Sequence, residues 1–365
     1  MARGRREVYN QAMKSDVFFA KAPGADRAER VLALEKILDA ARPFSSYKKG
    51  EIIPVKLTIG DSPCVYNMSP ELVKNVISRI KKKGSKPFLF DTSVIYKGER
   101  QNAVDHMNLA QAKGFGPEEV LAPFVIADGL FGQDGKECAI DSEGLDKIKI
   151  PSFAGMTDRL VVLTHATGHI VSRYAGAIKN VSMGISCRPT KLAQHQSVRP
   201  SVIEAKCAGC GLCAAICPVK AISFSGGKSR IDAGICIGCG ECLCACKFNA
   251  IMINWAIDPD LFCRRMVDVA SHILSMFKEA FFITFAFDVT KECDCISGKG
   301  EELVSENIGI LASRDALAVD KATMDLISKN KRGGYFNEKH DYYNPMFEYA
   351  AKKGLGSASY NLITL

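Results

Sequence analysis

The chain has 365 residues, 47% of them hydrophobic and 24% charged, which is typical of a globular protein with one large domain and an insert, or with two domains. Its 48 basic and 40 acidic residues give a formal charge of +8. No stretch of roughly eighteen apolar residues is present, and the basic N-terminus leads into no apolar signal core, so we expect a cytoplasmic protein without a membrane span.

Short apolar runs alternate with amphipathic segments over most of the chain. The predicted elements are strand Val17–Lys21, helix Arg27–Ala41, strand Ile52–Ile59, helix Pro70–Lys83, strand Pro87–Phe90, helix Asn102–Lys113, strands Phe124–Ala127 and Leu160–Thr164, helix Pro259–Lys278, strands Phe281–Val289 and Ile308–Ala312, and helix Asp315–Lys329. Strand–helix repetition of this kind predicts crossover connections, and hence an α/β fold with a mostly parallel sheet and flanking helices.

The segment 200–253 has a different texture, with short loops rich in cysteine and glycine. Its two halves, starting at Ala205 and Ala233, form an internal repeat with a period of about thirty residues. We therefore divide the chain into a first α/β part (1–199), an inserted small α+β module (200–253) and a second α/β part (254–365).

Two cysteine runs inside this module share the C-x2-C-x2-C-x3-C spacing of bacterial ferredoxins, which bind two 4Fe–4S clusters. Two-residue gaps let a tight loop wrap three corners of a cluster, and glycines let the backbone N–H groups approach the sulfides. The fourth cysteine of each run lies too far along the turn and ligates the other cluster. The predicted ligands are Cys207, Cys210, Cys213 and Cys246 for one cluster, and Cys236, Cys239, Cys242 and Cys217 for the other.

A pair of zinc sites is the alternative interpretation of the same cysteines. Two departures from the ferredoxin pattern stand out: Lys247 follows Cys246 in place of proline, and Cys244 is an extra thiol that we interpret as a packing residue. Eight thiolates and two oxidised cluster cores would bring the formal charge to roughly +4, which gives no argument for nucleic-acid binding.

The sequence around the module resembles the DUF362 family of uncharacterised iron–sulfur proteins, which often carry such a ferredoxin insert. The resemblance implies an α/β fold and iron–sulfur clusters but no particular reaction. The segments that carry it are Lys56–Gly60, Asp91–Tyr96, Asn102–His106, Ala127–Gly129, Thr164–His169, Gly176–Asn180, Cys293–Cys295, Ile308–Ser313 and Ala318–Asp320.

A second, local resemblance is to the lactate racemase family. His169, Lys179 ten residues on and His195 sixteen further lie in a similar glycine-bearing frame. In that family the first histidine is a general acid/base, the lysine tethers a nickel pincer cofactor, and the second histidine binds nickel. The resemblance implies these roles for His169, Lys179 and His195.

The same residues are candidates on position alone. His165 and His169 follow a predicted parallel strand, at the sheet edge where open α/β folds bind ligands, although either could be a hydrogen-bonded structural histidine. Asp91 and Thr92 follow another strand and could cap a helix or contact a substrate. The stretch containing Lys179, Asn180, Lys191 and His195 is interpreted as an irregular loop that binds an anionic group.

Cys293 and Cys295 follow a predicted strand near the same edge. Because a disulfide between cysteines one residue apart is strained, the interpretations are an extra redox pair, metal ligation or simple packing, with metal ligation favoured by the family context.

These features predict an oxidoreductase in which clusters exchange electrons with a small anionic compound in the α/β domain, with His169 or His165 moving protons. Two alternatives stay open: an electron carrier that docks a partner redox enzyme, and an enzyme with a racemase-like metal or tethered cofactor. The expected partner protein is a ferredoxin or a reductase. No glycine-rich dinucleotide motif follows the predicted strands, so an intrinsic nicotinamide site is not expected.

Overall fold

The computed structural model describes residues 14–96, 98–195, 200–236, 240–252, 258–294, 302–330, 334–337 and 340–365. Its strands are β1 (Ser15–Lys21), β2 (Ile52–Lys56), β3 (Lys86–Asp91), β4 (Phe124–Ile126), β5 (Lys136–Ser142), β6 (Leu145–Ile150), β7 (Arg159–His165), β8 (Thr167–His169), β9 (Arg173–Ala175), β10 (Ser201–Val202), β11 (Ile222–Ser225), β12 (Lys228–Ile231), β13 (Ile251–Met252), β14 (Glu279–Ala286), β15 (Gly309–Ser313) and β16 (Tyr360–Thr364). Its helices are α1 (Arg27–Ala41), α2 (Pro70–Lys81), α3 (Ala103–Ala112), α4 (Pro117–Val120), α5 (Ala177–Gly184), α6 (Arg188–Gln194), α7 (Leu212–Ala215), α8 (Glu241–Ala245), α9 (Pro259–Leu274), α10 (Ala316–Ser328), α11 (Gly334–Asn337) and α12 (His340–Lys352).

Eight strands form one sheet in the order β16-β1-β15-β14-β7-β2-β3-β4. Every neighbouring pair is parallel except the two that involve β15, which runs antiparallel to β1 and β14. The α/β fold with a mostly parallel sheet is therefore confirmed. The antiparallel strand was not foreseen, since its apolar run reads the same in either direction.

The sheet is buried on both faces, as a sheet covered by crossover helices must be. Successive side chains of β14 alternate between the two apolar cores: Phe281, Ile283 and Phe285 join the core under α1, α2 and α3, whereas Phe282 joins the core under α5, α9 and α10. Helix starts are fixed locally, since Asp26, Asn102 and Asp258 accept hydrogen bonds from backbone N–H groups at the N-termini of α1, α3 and α9.

The predicted strands and helices correspond to observed elements, with ends shifted by a few residues. Strand β2 ends at Lys56, before the predicted Ile59, and α9 ends at Leu274, before Lys278. Among the described helices, none is both long and apolar enough to cross a membrane.

Residues of the cysteine-rich segment form two short antiparallel pairs, β10 with β13 and β11 with β12, together with the one-turn helices α7 and α8. The two halves repeat their backbone geometry. Gly211 and Gly240 both have positive φ before a short helix, and Lys220 and Asn249 both have positive φ three residues after Cys217 and Cys246. The internal repeat read from the sequence is thus visible in the backbone.

Candidate functional site

A cleft of about 720 Å³ opens at the C-terminal ends of the central parallel strands. The last residues of β2, β3 and β7 are Lys56, Asp91 and His165, so three neighbouring strands each bring an ionisable side chain to this edge. Of the residues predicted from sequence, the cleft is lined by Asp91, Thr92, His165, His169, Lys179, Asn180, Lys191, His195 and Cys293.

Lys56 and Asp91 form a buried ion pair at the base of the cleft. The Lys56 Nζ lies 3.1 Å from Asp91 Oδ1 and also donates to Asn180 Oδ1 (2.9 Å) and to the Leu57 carbonyl (2.8 Å). Burial alone would raise the pKa of the Asp91 carboxyl, but the nearby cationic groups, Lys56 foremost, lower it to about 2. Asp91 is therefore ionised at neutral pH and caps no helix.

Arg100 and His106 complete the surroundings of Asp91. The Arg100 guanidinium lies 3.7 Å from Asp91 Oδ2, donates to Asp61 Oδ1 (2.9 Å) and contacts the Tyr96 hydroxyl. His106 Nε2 lies 3.8 Å from Asp91 Oδ2, and burial lowers the pKa of His106 to about 3, so this histidine is neutral. His106 is a structural residue behind the cleft.

Lys191 is held firmly by the loop that follows β3. Its Nζ donates to Thr92 Oγ1 (2.7 Å), the Ser93 carbonyl (2.5 Å) and the Thr92 carbonyl (3.3 Å), which uses all three protons of an ammonium. Burial lowers the pKa of Lys191 to about 8. Lys191 and Thr92 thus form part of the cleft wall rather than a free anion-binding pair.

Lys179 contrasts with these lysines. It is half-buried in the cleft, and among the described residues no acceptor lies within hydrogen-bonding or ion-pair distance of its Nζ. Burial, reinforced by Arg100, Lys56 and Lys191 and opposed by Asp294, lowers its pKa to about 7. Lys179 therefore loses its proton more readily than an exposed lysine does.

His165 is held as a cation. Its Nδ1 lies 3.0 Å from Asp294 Oδ1 and its Nε2 lies 2.8 Å from the Phe287 carbonyl, and both partners only accept hydrogen bonds. Burial alone would lower the pKa of His165, but Asp294 raises it above its ordinary value. The ring therefore favours the doubly protonated form.

His169 and His195 flank the ring of Phe262, at centroid distances of 5.8 and 4.8 Å. His169 Nδ1 accepts from the backbone N–H of Ser172 (3.0 Å) and of Val171 (3.2 Å), so the proton of the neutral ring is on Nε2. Burial, then Lys179 and His195, hold its pKa well below its ordinary value. His169 is thus arranged as a fixed hydrogen-bond donor.

His195 has the opposite tautomer. Its Nδ1 lies 2.6 Å from the Lys191 carbonyl, an obligate acceptor, so Nδ1 carries the proton and Nε2 the lone pair. Burial lowers the pKa of His195 to about 4, which keeps the ring neutral. A neutral imidazole with a lone pair on Nε2 has the form needed for metal ligation or proton acceptance.

The prediction of an irregular loop around Lys179 and His195 is wrong. Lys179 and Asn180 lie on α5, Lys191 lies on α6, and His195 is the C-terminal cap of α6. These helices are short, and α5 is capped from a distance: Asp320 accepts from the N–H groups of Ala177 (2.7 Å) and Ile178 (2.9 Å). Local sequence carries no signal for such a cap.

Asn180 has a structural part in the site. Its amide Nδ2 donates to the Leu163 carbonyl (2.9 Å) and to Thr164 Oγ1 (3.0 Å), while its Oδ1 accepts from Lys56. Asn180 thereby ties α5 to the ends of β2 and β7, and no group of its side chain is left to hold an anion.

Cys293 is buried next to Asp294 and is disulfide-bonded. Cys295 lies outside the described residues.

One cysteine of the first run lies close to two cysteines of the second run. Cys217 of the first run lines one small cavity together with Cys236 and Cys242 of the second run, and Cys239 lies outside the described residues. In the first run, the Cys207 and Cys213 sulfurs both lie near Ser229 Oγ, at 3.7 and 3.3 Å.

Backbone N–H groups point at several of these sulfurs. The N–H of Ala221 lies 3.2 Å from Cys217 Sγ, and that of Ala250 lies 3.2 Å from Cys246 Sγ. Backbone donors, chiefly Ser229, lower the pKa of Cys207. Such donors stabilise thiolate ligands, so the donor set fits a cluster, although no three His, Cys, Asp or Glu side chains within the described ranges already lie at metal-ligating distances.

The second cysteine run is docked against the wall of the cleft. Arg188, at the start of α6, and Glu241, between Cys239 and Cys242, are both buried and form an ion pair of 2.7 Å. Leu243 packs against the pair formed by Leu192 of α6 and Ile95, and Ile95 lines the cleft. The helix that carries Lys191 therefore also contacts the cysteine module.

Sequence reasoning missed several residues of the site, namely Lys56, Arg100, Asp294, Asp320 and the pair Arg188–Glu241. Lys56 had a usable signal, because a lysine inside the mostly apolar run Ile52–Ile59 must find a buried partner. The others meet their partners only through long-range packing.

The family model described as "Domain of unknown function (DUF362)" matches residues 53–325, more than half of the chain. The chain belongs to the DUF362 family. No curated protein matches this DUF362 protein.

Two solved structures are similar to this DUF362 chain. The lactate racemase apoprotein from Thermoanaerobacterium thermosaccharolyticum has 14% identity and a TM-score of 0.42, covering 82% of this chain and 54% of that one. A protein from Thermotoga maritima has 11% identity and a TM-score of 0.40, covering 91% of this chain and 60% of that one. This DUF362 chain thus spans less than two thirds of the length of either neighbour.

Proposed function

We propose that this DUF362 protein is an iron–sulfur oxidoreductase that moves electrons between two 4Fe–4S clusters and a small anionic compound in the cleft. The observation that carries the proposal is the docking of the second cysteine run on the cleft wall through Arg188, Glu241 and Leu243. Electron transfer requires such proximity, and a module that served only as a spacer would not need to bury an ion pair there.

The eight predicted ligands are the cysteines Cys207, Cys210, Cys213 and Cys246 for the first cluster and Cys236, Cys239, Cys242 and Cys217 for the second. Bound clusters would supply one-electron chemistry. The backbone donors at Cys207, Cys217 and Cys246 support thiolate ligation, as does the shared cavity of Cys217, Cys236 and Cys242.

The cleft residues have complementary tasks. The imidazolium of His165 can supply a proton, the Nε2–H of His169 can hold an oxygen of the bound compound, and the unpaired Lys179 can attract its negative charge. The Lys56–Asp91 pair fixes the ends of β2 and β3 and is assigned no chemistry.

An electron carrier that docks a partner redox protein is the second candidate. The observation that favours it is the exposure of Cys210 together with the exposed apolar side chains Leu212, Ile216 and Phe224 around the first run. A ferredoxin or reductase could approach there. The racemase-like alternative draws support from the presence of His169, Lys179 and His195 in one cleft.

The test begins with protein purified without oxygen, in which iron and other metals are counted by mass spectrometry and the intact mass is measured. Roughly eight irons per chain, reducible by dithionite with the electron paramagnetic resonance of two 4Fe–4S clusters, would support the proposal. Zinc in place of iron would overturn it. Stoichiometric nickel, or an added mass lost in Lys179→Ala, would favour the racemase-like candidate.

A ligand titration separates the enzyme from the carrier. Small carboxylates and phosphate are added to the reduced protein while the cluster signals and reoxidation rate are recorded. Faster reoxidation by one class of anion, abolished in Lys179→Gln but kept in the surface variant Lys147→Gln, is expected of an enzyme. Reoxidation only by a partner protein would support the carrier.

A further inference from the structure

Three lysines surround the cleft, and only one of them has no fixed partner. Lys56 is bound to Asp91, Asn180 and a carbonyl, and Lys191 is bound to three oxygens of Thr92 and Ser93. Lys179 has no acceptor in reach within the described part of the chain, yet it lines the same cavity. Because ammonium groups in a protein interior are normally paired, an unpaired lysine here requires a reason.

The surroundings of Lys179 favour a neutral amine. Burial and the positive charges of Arg100, Lys56 and Lys191 bring its pKa to about 7, several units below that of an exposed lysine. Lysines are activated as nucleophiles in this way, through desolvation and neighbouring cations. The amine is also presented rigidly, since α5 is capped by Asp320 and tied to the sheet by Asn180.

We propose that Lys179 is a nucleophile that forms an imine with a small aldehyde or ketone carrying a carboxylate, that is, with an oxo acid. This assignment deepens the proposed function, because it rests on the cleft being the substrate site and names the class of compound bound there. The chemistry itself does not depend on the clusters.

The step balances without a further reactant. The lone pair of the Lys179 amine adds to the carbonyl carbon, a C–N bond forms, and the carbonyl oxygen takes a proton to become a hydroxyl. The nitrogen then gives up one proton, the hydroxyl takes up a proton, and the C–O bond breaks to release water and leave the protonated imine. His165, doubly protonated between Asp294 and the Phe287 carbonyl, and the Nε2–H of His169 are the proton and hydrogen-bond donors of the cleft.

We infer that the bound compound carries a carboxylate because positively charged groups lie near Lys179. Arg100 and Lys191 line the cleft, as does His165. These cations and the carboxylates Asp91 and Asp294 are all held by protein partners, and the positive charges of Arg100 and Lys191 still act on Lys179. A carbonyl compound without charge would bring no anion to this group of cations. An oxo acid supplies both the electrophile and the negative charge.

Reductive trapping tests the proposal on the anaerobically purified protein. The protein is incubated with glyoxylate and cyanoborohydride near pH 7, and the labelled lysines are located by peptide mass spectrometry. We expect one carboxymethyl group on Lys179, with at least tenfold less label on the exposed Lys147. Propanal, which lacks the carboxylate, should label Lys179 at least tenfold less than glyoxylate.

The matched variants are Lys179→Arg, which keeps the charge and removes the primary amine, and Lys147→Arg on the surface. Label at this site must vanish in the first and persist in the second, with circular dichroism and thermal melting reporting that both fold. If Lys179→Arg does not fold, the peptide map of the wild-type protein still shows whether the label is on Lys179.

Two results would overturn the imine: label spread evenly over surface lysines, or no label on Lys179 while Lys191 is modified. Equal labelling by glyoxylate and propanal would overturn the oxo-acid class. A labelled Lys179 in a protein that binds no iron would contradict the proposed function but not the imine. A protein that binds its full iron but shows no label on Lys179 would contradict the imine but not the proposed function.

Discussion

At the level of single residues, the base of the cleft is stabilised by a buried pair of opposite charges. Lys56 and Asp91 have almost no exposed surface, and each would carry a large desolvation penalty alone. Their pairing, with Asn180 and Arg100 around them, satisfies both charges at the ends of β2 and β3. Removing either partner would leave the other charge buried and unpaired, and this cost is the main way in which the pair stabilises the cleft.

Asp91→Asn is expected to lower the free energy of unfolding by about 3–5 kcal/mol, the usual effect of removing one partner of a buried pair. Urea unfolding followed by circular dichroism measures it. Asp141→Asn, at a fully exposed carboxylate, is the control and should change stability by less than about 0.5 kcal/mol. Equal effects of the two substitutions would contradict the assignment.

The reactivity of Lys179 should follow its lowered pKa. Burial and neighbouring cations bring this pKa to about 7, so the ammonium persists below pH 7 and the reactive amine is present above it. Competitive acetylation across pH 5–10 is expected to give a half-maximal rate near pH 7 at Lys179. An ordinary exposed lysine reaches its half-maximal rate near about pH 10.4. Coincident profiles would refute the shift.

At the scale of elements, the site depends on two short helices whose positions are set from outside. Asp320 of α10 caps α5, and Glu241 of α8 pairs with Arg188 of α6. A helix of seven or eight residues is marginal by itself, so these long-range partners supply what local propensity does not. The segment that was predicted to be an irregular loop therefore forms helices α5 and α6 because α10 and α8 contact it.

Arg188→Met should leave Glu241 buried without its partner and cost about 3–5 kcal/mol. Because the pair joins α6 to α8, we also expect faster amide hydrogen exchange in Glu241–Ala245. Arg264→Met breaks a more exposed pair with Glu143 and is the control, with an effect below about 1 kcal/mol. Unchanged exchange in α8 would show that the pair does not hold the module.

At the scale of the whole molecule, the cysteine module packs against α6, a helix that also lines the cleft at the edge of the sheet. Helix α6 contributes Lys191 to the cleft and contacts the second cysteine run through Arg188 and Leu192. The module also repeats its own geometry, since Cys217 and Cys246 each receive a backbone N–H four residues on. This pseudo-symmetry predicts that each run completes the ligand set of the other run's cluster.

Cys217→Ser should therefore remove the second cluster, although Cys217 belongs to the first run. Iron content is expected to fall to about half, with the first cluster still visible by electron paramagnetic resonance. Cys138→Ser, at a free half-buried thiol in β5, should keep all the iron. Loss of the first cluster instead of the second would contradict the crossed ligand assignment.

Much of the fold could be read from the sequence, because apolar periodicity and helix caps are local. Helix α1 begins and ends as predicted, and Asp91 and His165 lie at the sheet edge where parallel strands end. The hairpins β5–β6 and β8–β9 and the edge strand β16 were not predicted. These strands are short and mix polar with apolar residues. Their sequences therefore show no clear alternation, and which side chains are buried is set by packing against the rest of the chain.

The sequence by itself determined the α/β alternation, the repeat of the cysteine runs and the group of polar residues after the strands. These depend on periods and spacings of a few residues. Only the tertiary structure decided which of those polar residues are engaged: Asn180, Thr92 and Lys191 are used in the wall, and Lys179 alone among the three cleft lysines is left without an acceptor in the described chain. Whether a buried charge is paired depends on partners tens to hundreds of residues away, and no local pattern encodes that.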